Sequence, residues 1–210
     1  MDGGFRMALD AAGPEGEHGG MNARDRLKEL LVERSVRLGE FTLASGARSS
    51  YYVDARRTTM SAEGQVLTGK VCWTALSASG LDVSHVGGLT MGADPVAYAL
   101  ARESFVQGHP MDAFSVRKQA KAHGTGQRVE GGLPPGARCL VVEDAMTSGG
   151  SALEAIAAVE AHGCTVGGVL TLVDREEGGR GRVEGAGYPL LAIFTGQELL
   201  EAARTARPEG

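Results

Sequence analysis

The feature that most constrains this chain is a series of short, continuously apolar runs, each separated from the next by a helical pattern. Arg138-Cys-Leu-Val-Val142 is one such run, and residues 165–173 and 190–194 supply others. Successive side chains of a strand point to opposite faces, so an unbroken apolar run must be covered on both sides. Helices between the runs provide that cover, and the alternation predicts an α/β fold with a mostly parallel central sheet flanked by helices. Shorter runs at 85–89 and 112–116 extend the sheet. Helices are expected at 61–79, opened by Ser61 and Gly64, at 94–103 with Pro95 in its first turn, at 148–162 and at 197–204.

Residues 1–20 mix glycines, charges and a proline without apolar periodicity, which predicts a tail outside the fold and makes Met21 a candidate start. Asn22 is placed to cap a helix with Asp25 in its first turn and Leu27, Leu30 and Leu31 on one face, running to about residue 38. Residues 40–54 are β-prone pieces broken by Ser45-Gly46, a hairpin or extended flap. The expected organisation is the tail, then one domain over 21–210. Within it a flap or hood of about 21–60 is joined by the C-terminal segment, over a core of about 61–185.

Composition narrows the partners. A formal net charge of -5 argues against a nucleic-acid or anionic-membrane binder. No run reaches the roughly 18 apolar residues of a membrane span, and the first twenty residues lack the apolar centre of a signal peptide. Cys72, Cys139 and Cys164 stand singly in apolar runs without metal-ligand spacing, as buried hydrophobes of a reducing compartment do. The expected location is cytoplasmic. Glycine, at 32 residues, suggests tight turns and close backbone approaches of the kind phosphate loops need.

In parallel sheets, ligands bind beyond the carboxyl ends of the strands. There the segment Leu140-Val-Val-Glu-Asp-Ala-Met-Thr-Ser-Gly-Gly-Ser-Ala-Leu153 reads as a buried strand ending in two acids, then a hydroxyl and glycine turn opening a helix. Exposed N–H groups at the helix start attract phosphate, and Thr147, Ser148 and Ser151 add hydroxyl donors. Glu143 and Asp144 would repel a bare phosphate, but they suit a ligand that also carries hydroxyls, or an intervening magnesium ion. A sugar phosphate meets both demands; a capped helix with solvated acids is the plainer alternative. The loop is neither a Walker A motif nor a dinucleotide GxGxxG. Phe114-Ser-Val-Arg-Lys-Gln-Ala-Lys-Ala-His-Gly-Thr-Gly126 is the second signal: Arg117, Lys118, Lys121 and His123 crowd a glycine-bounded loop, suited to a diphosphate whose charge grows as it leaves.

The first segment resembles the motif by which type I phosphoribosyltransferases bind 5-phosphoribosyl 1-diphosphate (PRPP). The second resembles, nearly position for position, the RKxxKxHG loop of orotate phosphoribosyltransferases. Three further stretches agree: Phe41-Thr-Leu-Ala-Ser-Gly-x-x-Ser-x-Tyr-Tyr resembles the family's flap, Gly87-Gly-Leu-Thr-Met-Gly-Ala-Asp-Pro95 its diphosphate loop, and Val173-Asp-Arg-Glu-Glu177 its orotate-carboxylate segment. The match runs from about residue 21 onward. It departs at Ala44 and Met91, where many members have lysine, and Arg48 is a candidate substitute for the first.

The resemblance implies the type I phosphoribosyltransferase fold with a small N-terminal hood, and transfer of phosphoribose from PRPP to orotate to give orotidine 5′-monophosphate. It implies PRPP contacts from Arg117, Lys118, Lys121, His123, Glu143 and Asp144 and from the loop Ala145, Met146, Thr147, Ser148, Gly149, Gly150 and Ser151. Orotate contacts would come from Thr147, Tyr52 and Arg175. Lys121, His123 and Asp144 would be catalytic. Magnesium (Mg2+) would be held mainly by PRPP near Glu143 and Asp144, and the 117–126 loop would be shared across a homodimer. Purine phosphoribosyltransferases lack the basic loop, and a PRPP-sensing regulator would need a basic surface or a helix-turn-helix. On its own, Arg175 reads as an ion-pair partner of Glu176 or Glu177. Assigned to the orotate carboxylate, it should reject uracil, which would leave a desolvated guanidinium unpaired.

Overall fold

The computed structural model describes residues 22–42, 48–119 and 128–207. The N-terminal helix α1 (Ala23–Arg34) is capped by the Asn22 side chain, which accepts from the Asp25 N–H at 2.9 Å. It ends at Arg34 rather than near residue 38. Val36 leaves the helix to pair with Val53, and Leu38 pairs with Tyr51, in an antiparallel hairpin of β1 (Val36–Thr42) and β2 (Arg48–Val53). The residues that would have extended the helix are taken by that ladder, an instance of pairing overriding local propensity. The junction is fixed by buried hydroxyls: Ser35 and Thr58 are 2.7 Å apart, and Thr58 donates to the Leu30 carbonyl. Thr58 sits in a one-turn helix, α2 (Arg56–Thr59), too short to leave a periodic signal.

Beyond it come α3 (Ala62–Ser79), capped by Ser61 as expected, then β3 (His85–Leu89), α4 (Ala93–Val106), β4 (Asp112–Val116), β5 (Val129–Gly131) and β6 (Arg138–Met146). The chain continues through α5 (Gly150–Ala161), β7 (Thr165–Asp174), α6 (Gly179–Gly185), β8 (Leu190–Thr195) and α7 (Gly196–Ala206). The strands β5-β4-β3-β6-β7-β8 form one sheet, parallel throughout except at the β5 edge. Leu140 and Val142 of β6 pack toward α3 and α4, whereas Cys139 and Val141 pack toward α5 on the other face. That two-sided burial is what the unbroken apolar run demanded.

Three details differ from the sequence reading. Strand β6 continues to Met146, so it does not end at the two acids but carries Glu143 and Asp144 within it; β7 runs beside them and pairs Glu143 with Thr171 and Met146 with Asp174. Accordingly α5 starts at Gly150, not residue 148. Helix α6, of sequence GRGRVEG, and the three-residue β5 were not anticipated, because glycine-rich and very short pieces carry little propensity. Strand β8 lies beyond residue 185 yet pairs with β7, and α7 returns to the hood: Arg24 bonds Glu198, and Arg207 donates to the Val32 and Val36 carbonyls.

Cys72, Cys139 and Cys164 are buried thiols, and burial pushes those of Cys72 and Cys139 up to about 12, which removes their reactivity. No described helix is long and apolar enough to cross a membrane.

Gly87 and Gly88 of β3 are the sheet's tight positions: a Cβ on Gly87 would lie 2.2 Å from the Phe114 carbonyl oxygen. Gly87→Ala should cost about 1–3 kcal/mol in denaturant unfolding. Gly181 of α6 has open space around it, so Gly181→Ala should instead gain about 0.5–1 kcal/mol.

Candidate active site

A cleft of about 1890 Å³ opens above the carboxyl ends of β3, β4, β6 and β7, with the hairpin forming one wall. After β6, Thr147, Ser148 and Gly149 turn the chain into α5. Gly149 has φ +71°, a left-handed conformation that favours glycine. The first N–H groups of α5 have no intrahelical acceptors, and the hydroxyl residues Thr147, Ser148 and Ser151 line the cleft around them. From behind, the loop is braced by α6: Gly179 donates to the Thr147 carbonyl at 2.9 Å, and a Cβ on Gly179 would meet that oxygen at 2.5 Å.

Glu143, Asp144 and Ala145 also line the cleft. Burial, and then the neighbouring Asp144, push the Glu143 carboxyl up to about 7, while the Ser151 hydroxyl opposes part of the rise. One Glu143 oxygen, Oε2, is buried with no hydrogen-bond partner. Asp144 is also raised by burial, against the opposing pull of backbone N–H groups and of Arg56. The turn between β3 and α4 packs directly on it: a Cβ at Gly92 would come within 2.3 Å of Asp144 Oδ1. An unpaired buried carboxylate oxygen of this kind calls for a hydroxyl donor or a cation. Among the described residues no group of three or more His, Cys, Asp or Glu could hold a metal by itself.

Met146 departs from the other loop residues. Its side chain is fully buried in the core beside α5, and its carbonyl accepts from the Arg175 N–H, so it offers no side-chain contact to the cleft. Gly149 and Gly150 shape the turn. Of the basic loop, Arg117 and Lys118 reach the cleft, whereas Lys121 and His123, like Ala44 in the flap, lie outside the described residues. Met91 lines the cleft and is well exposed. Arg48 lines it from β2, as do Arg37 and Arg56, two cations that the sequence reading missed. Arg56 pairs with Asp54 at 2.8 Å. Their positions on a hairpin and a one-turn helix become meaningful only once the hood folds over the sheet. A hydroxyl network also went unnoticed: Thr90 and Ser115 each donate to Asp94, at 2.5 and 2.7 Å, tying the turn between β3 and α4 to β4.

On the hairpin side of the cleft Tyr52 lines the wall, its ring 5.7 Å from that of Phe41. Arg175 follows β7 and is only 5% exposed, yet it too lines the cleft. Its guanidinium lies 4.4 Å from the centre of the Tyr51 ring, and Nε donates to the Tyr51 hydroxyl at 3.3 Å. Nη2 bonds Ser49 at 3.5 Å and pairs with Glu177 at 2.9 Å. The ion pair and the cleft position, alternatives in the sequence, coexist.

Residues 76–184 match the model of the phosphoribosyl transferase domain. The orotate phosphoribosyltransferase of Aquifex aeolicus is 43% identical over 183 residues, covering 86% of this chain and 99% of that protein. That of Streptomyces avermitilis is 46% identical over 179 residues, covering 85% and 97%. The chain belongs to the orotate phosphoribosyltransferase family. Among solved family structures, the Mycobacterium tuberculosis enzyme in complex with Fe(III) dicitrate superposes with a TM-score of 0.74 at 43% identity, covering 85% of this chain and 99% of that one. The same enzyme in complex with PRPP gives a TM-score of 0.70 at 39% identity, covering 85% and 99%. The family's fold is the one described above: a mostly parallel sheet flanked by helices, under a small hairpin hood.

The raised Glu143 carboxyl makes stability depend on pH. Its folded value exceeds its ordinary 4.5, so its contribution is complete below about 4.5 and is lost as pH rises through about 7. Glu143→Gln carries no such loss. Its melting temperature should gain on wild type as pH is raised from about 5 to about 8. A difference independent of pH would remove burial as the cause.

Proposed function

We propose that this chain transfers the 5-phosphoribosyl group from PRPP to orotate, releasing diphosphate and forming orotidine 5′-monophosphate for pyrimidine biosynthesis. The observation that carries this reading is that one cleft unites a half-buried acid pair beside a phosphate-type helix start with a buried guanidinium on the neighbouring strand. The first suits a ribose phosphate and the second a planar base bearing a carboxylate.

In the reaction the bond between the anomeric carbon and the diphosphate oxygen breaks, its electron pair leaving with diphosphate. The orotate ring nitrogen supplies the pair for the new C–N bond. Because the ribosyl centre becomes cation-like, catalysis rests on positioning and charge stabilisation. Thr147, Ser148, Ser151 and the backbone of Gly149 and Gly150 would hold the 5′-phosphate. Glu143 and Asp144 would hold the ribose hydroxyls and counter the developing positive charge. Arg117 and Lys118, with Lys121 and His123, would neutralise the leaving diphosphate, His123 serving as proton donor. Magnesium, held mainly by PRPP beside Glu143 and Asp144, would add charge stabilisation at the same oxygens. Tyr52 and Thr147 would flank the base, and Arg175 its carboxylate. The buried single cysteines fit a cytoplasmic enzyme.

The deciding assay is direct. The purified chain should consume orotate and release diphosphate when PRPP and magnesium are supplied; no consumption overturns the reading. Lys121→Ala should then lower kcat by about 10²–10³-fold while leaving the melting temperature nearly unchanged. Near-normal turnover would exclude Lys121 from the chemistry.

A homodimer sharing the 117–126 loop is part of the proposal. It is supported by an exposed stripe on α4, where Tyr98 and Phe105 stand on one side of the helix with Val106 beside them. Mixing inactive Lys118→Ala and Asp144→Asn proteins should restore activity, because the mixed dimer regains one intact site. Subunit exchange without any recovered activity would exclude Lys118 from a shared site.

A further inference from the structure

The Arg175 guanidinium is 3% exposed and its partner Glu177 is 30% exposed, so a buried cation is paired with a carboxylate that can still reach water. Burying an unpaired guanidinium is costly, and Glu177 removes that cost in the empty site. The rest of the guanidinium is held by fixed groups. Tyr51 lies under its plane and accepts from Nε, and a Cβ on Gly196 would come within 2.1 Å of the Tyr51 hydroxyl, so that hydroxyl is seated against the start of α7. Nη2 donates to Ser49 at 3.5 Å and is ion-paired with Glu177 at 2.9 Å. Among the described residues, Nη1 donates to nothing.

An arginine binds a carboxylate best through two parallel N–H groups on one edge. The Nη1–Nη2 edge is half taken by Glu177, and two carboxylates on one guanidinium repel each other. We propose that Glu177 is a built-in stand-in for the substrate carboxylate: it neutralises Arg175 in the empty site and must be displaced into solvent for a base carboxylate to bind. Tyr51 and Glu177 are then positioning residues acting through Arg175. Tyr51 holds the guanidinium at a fixed angle, and Glu177 sets how much the carboxylate gains by docking. This rests on the orotate reading of the cleft and corrects one expectation from the sequence. A base without a carboxylate does not leave Arg175 unpaired, because Glu177 keeps it paired, so rejection of uracil is weaker than an isolated arginine would give.

Glu177→Gln keeps a hydrogen-bond acceptor but removes the competing charge. With the intact chain, PRPP and magnesium, it should lower the orotate KM about two- to tenfold while leaving the PRPP KM unchanged. It should also enlarge the thermal shift produced by orotidine 5′-monophosphate relative to wild type, a readout independent of turnover. Tyr51→Phe keeps the ring and removes the hydroxyl, so it should raise the orotate KM about two- to tenfold, again without moving the PRPP KM. An orotate KM that is unchanged or raised in Glu177→Gln overturns the proposal, as does a PRPP KM that moves equally. If Glu177→Gln does not fold, Glu177→Asp, with its carboxylate drawn back by one methylene, should lower the orotate KM in the same direction, and a rise refutes displacement. A wild-type protein that does not turn over orotate at all is a different result: it removes the functional reading, whereas active wild type with an unmoved Glu177→Gln removes only this one.

Discussion

The site depends on the parallel ladder between β6 and β7. After a register shift between Cys139 and Leu140 it continues past the apolar core, so that Glu143 pairs with Thr171 and Met146 with Asp174, and the Arg175 N–H then bonds the Met146 carbonyl at 2.8 Å. The same ladder that buries Leu140, Val141, Leu170 and Leu172 thus carries the acid pair and the buried Arg175 to neighbouring strand ends. A sheet covered on both faces is stiff, and groups mounted on it keep their separation. Loops of the same composition, without the strands, would not.

Electrostatically the cleft is unfinished without a ligand. Glu143 and Asp144 are raised by burial, one Glu143 oxygen has no partner, and cations from three different elements line the walls: Arg37 on β1, Arg56 on α2, Arg117 at the end of β4. Such an arrangement costs stability, and any ligand that supplies hydroxyl donors or counter-charges to these groups offsets the cost on binding. At Arg56, Arg117 and Arg175 the protein supplies a counter-charge of its own, in Asp54, Glu130 and Glu177, and of these three cations only Arg175 is buried.

Glycines make the close approaches that this design needs. Gly92 allows the turn between β3 and α4 to rest on Asp144, Gly179 allows α6 to brace the phosphate loop, and Gly196 leaves room for the Tyr51 hydroxyl. Each sits where two functional segments meet, so part of the chain's high glycine content is explained by the cleft.

Much of this was legible in the sequence because the signals are local. Unbroken apolar runs specify buried parallel strands, a hydroxyl and glycine turn specifies a helix start open to phosphate, and both stand in contiguous residues such as 138–151. The basic residues Arg117 and Lys118 stand in a local run of the same kind, whereas Tyr52 was singled out only by resemblance to the family's flap. What the sequence could not decide are the features made by residues far apart in the chain. The extension of β6 through both acids depends on β7 being long enough to pair with it, and the early end of α1 depends on Val53. Tyr51 meets Arg175 across 124 positions, and Arg56 reaches Asp144 only because the hood closes on the sheet. Residue type and order determined which chemistry the chain carries; tertiary packing decided which charges are buried and what faces them, because desolvation and pairing are properties of neighbours in space.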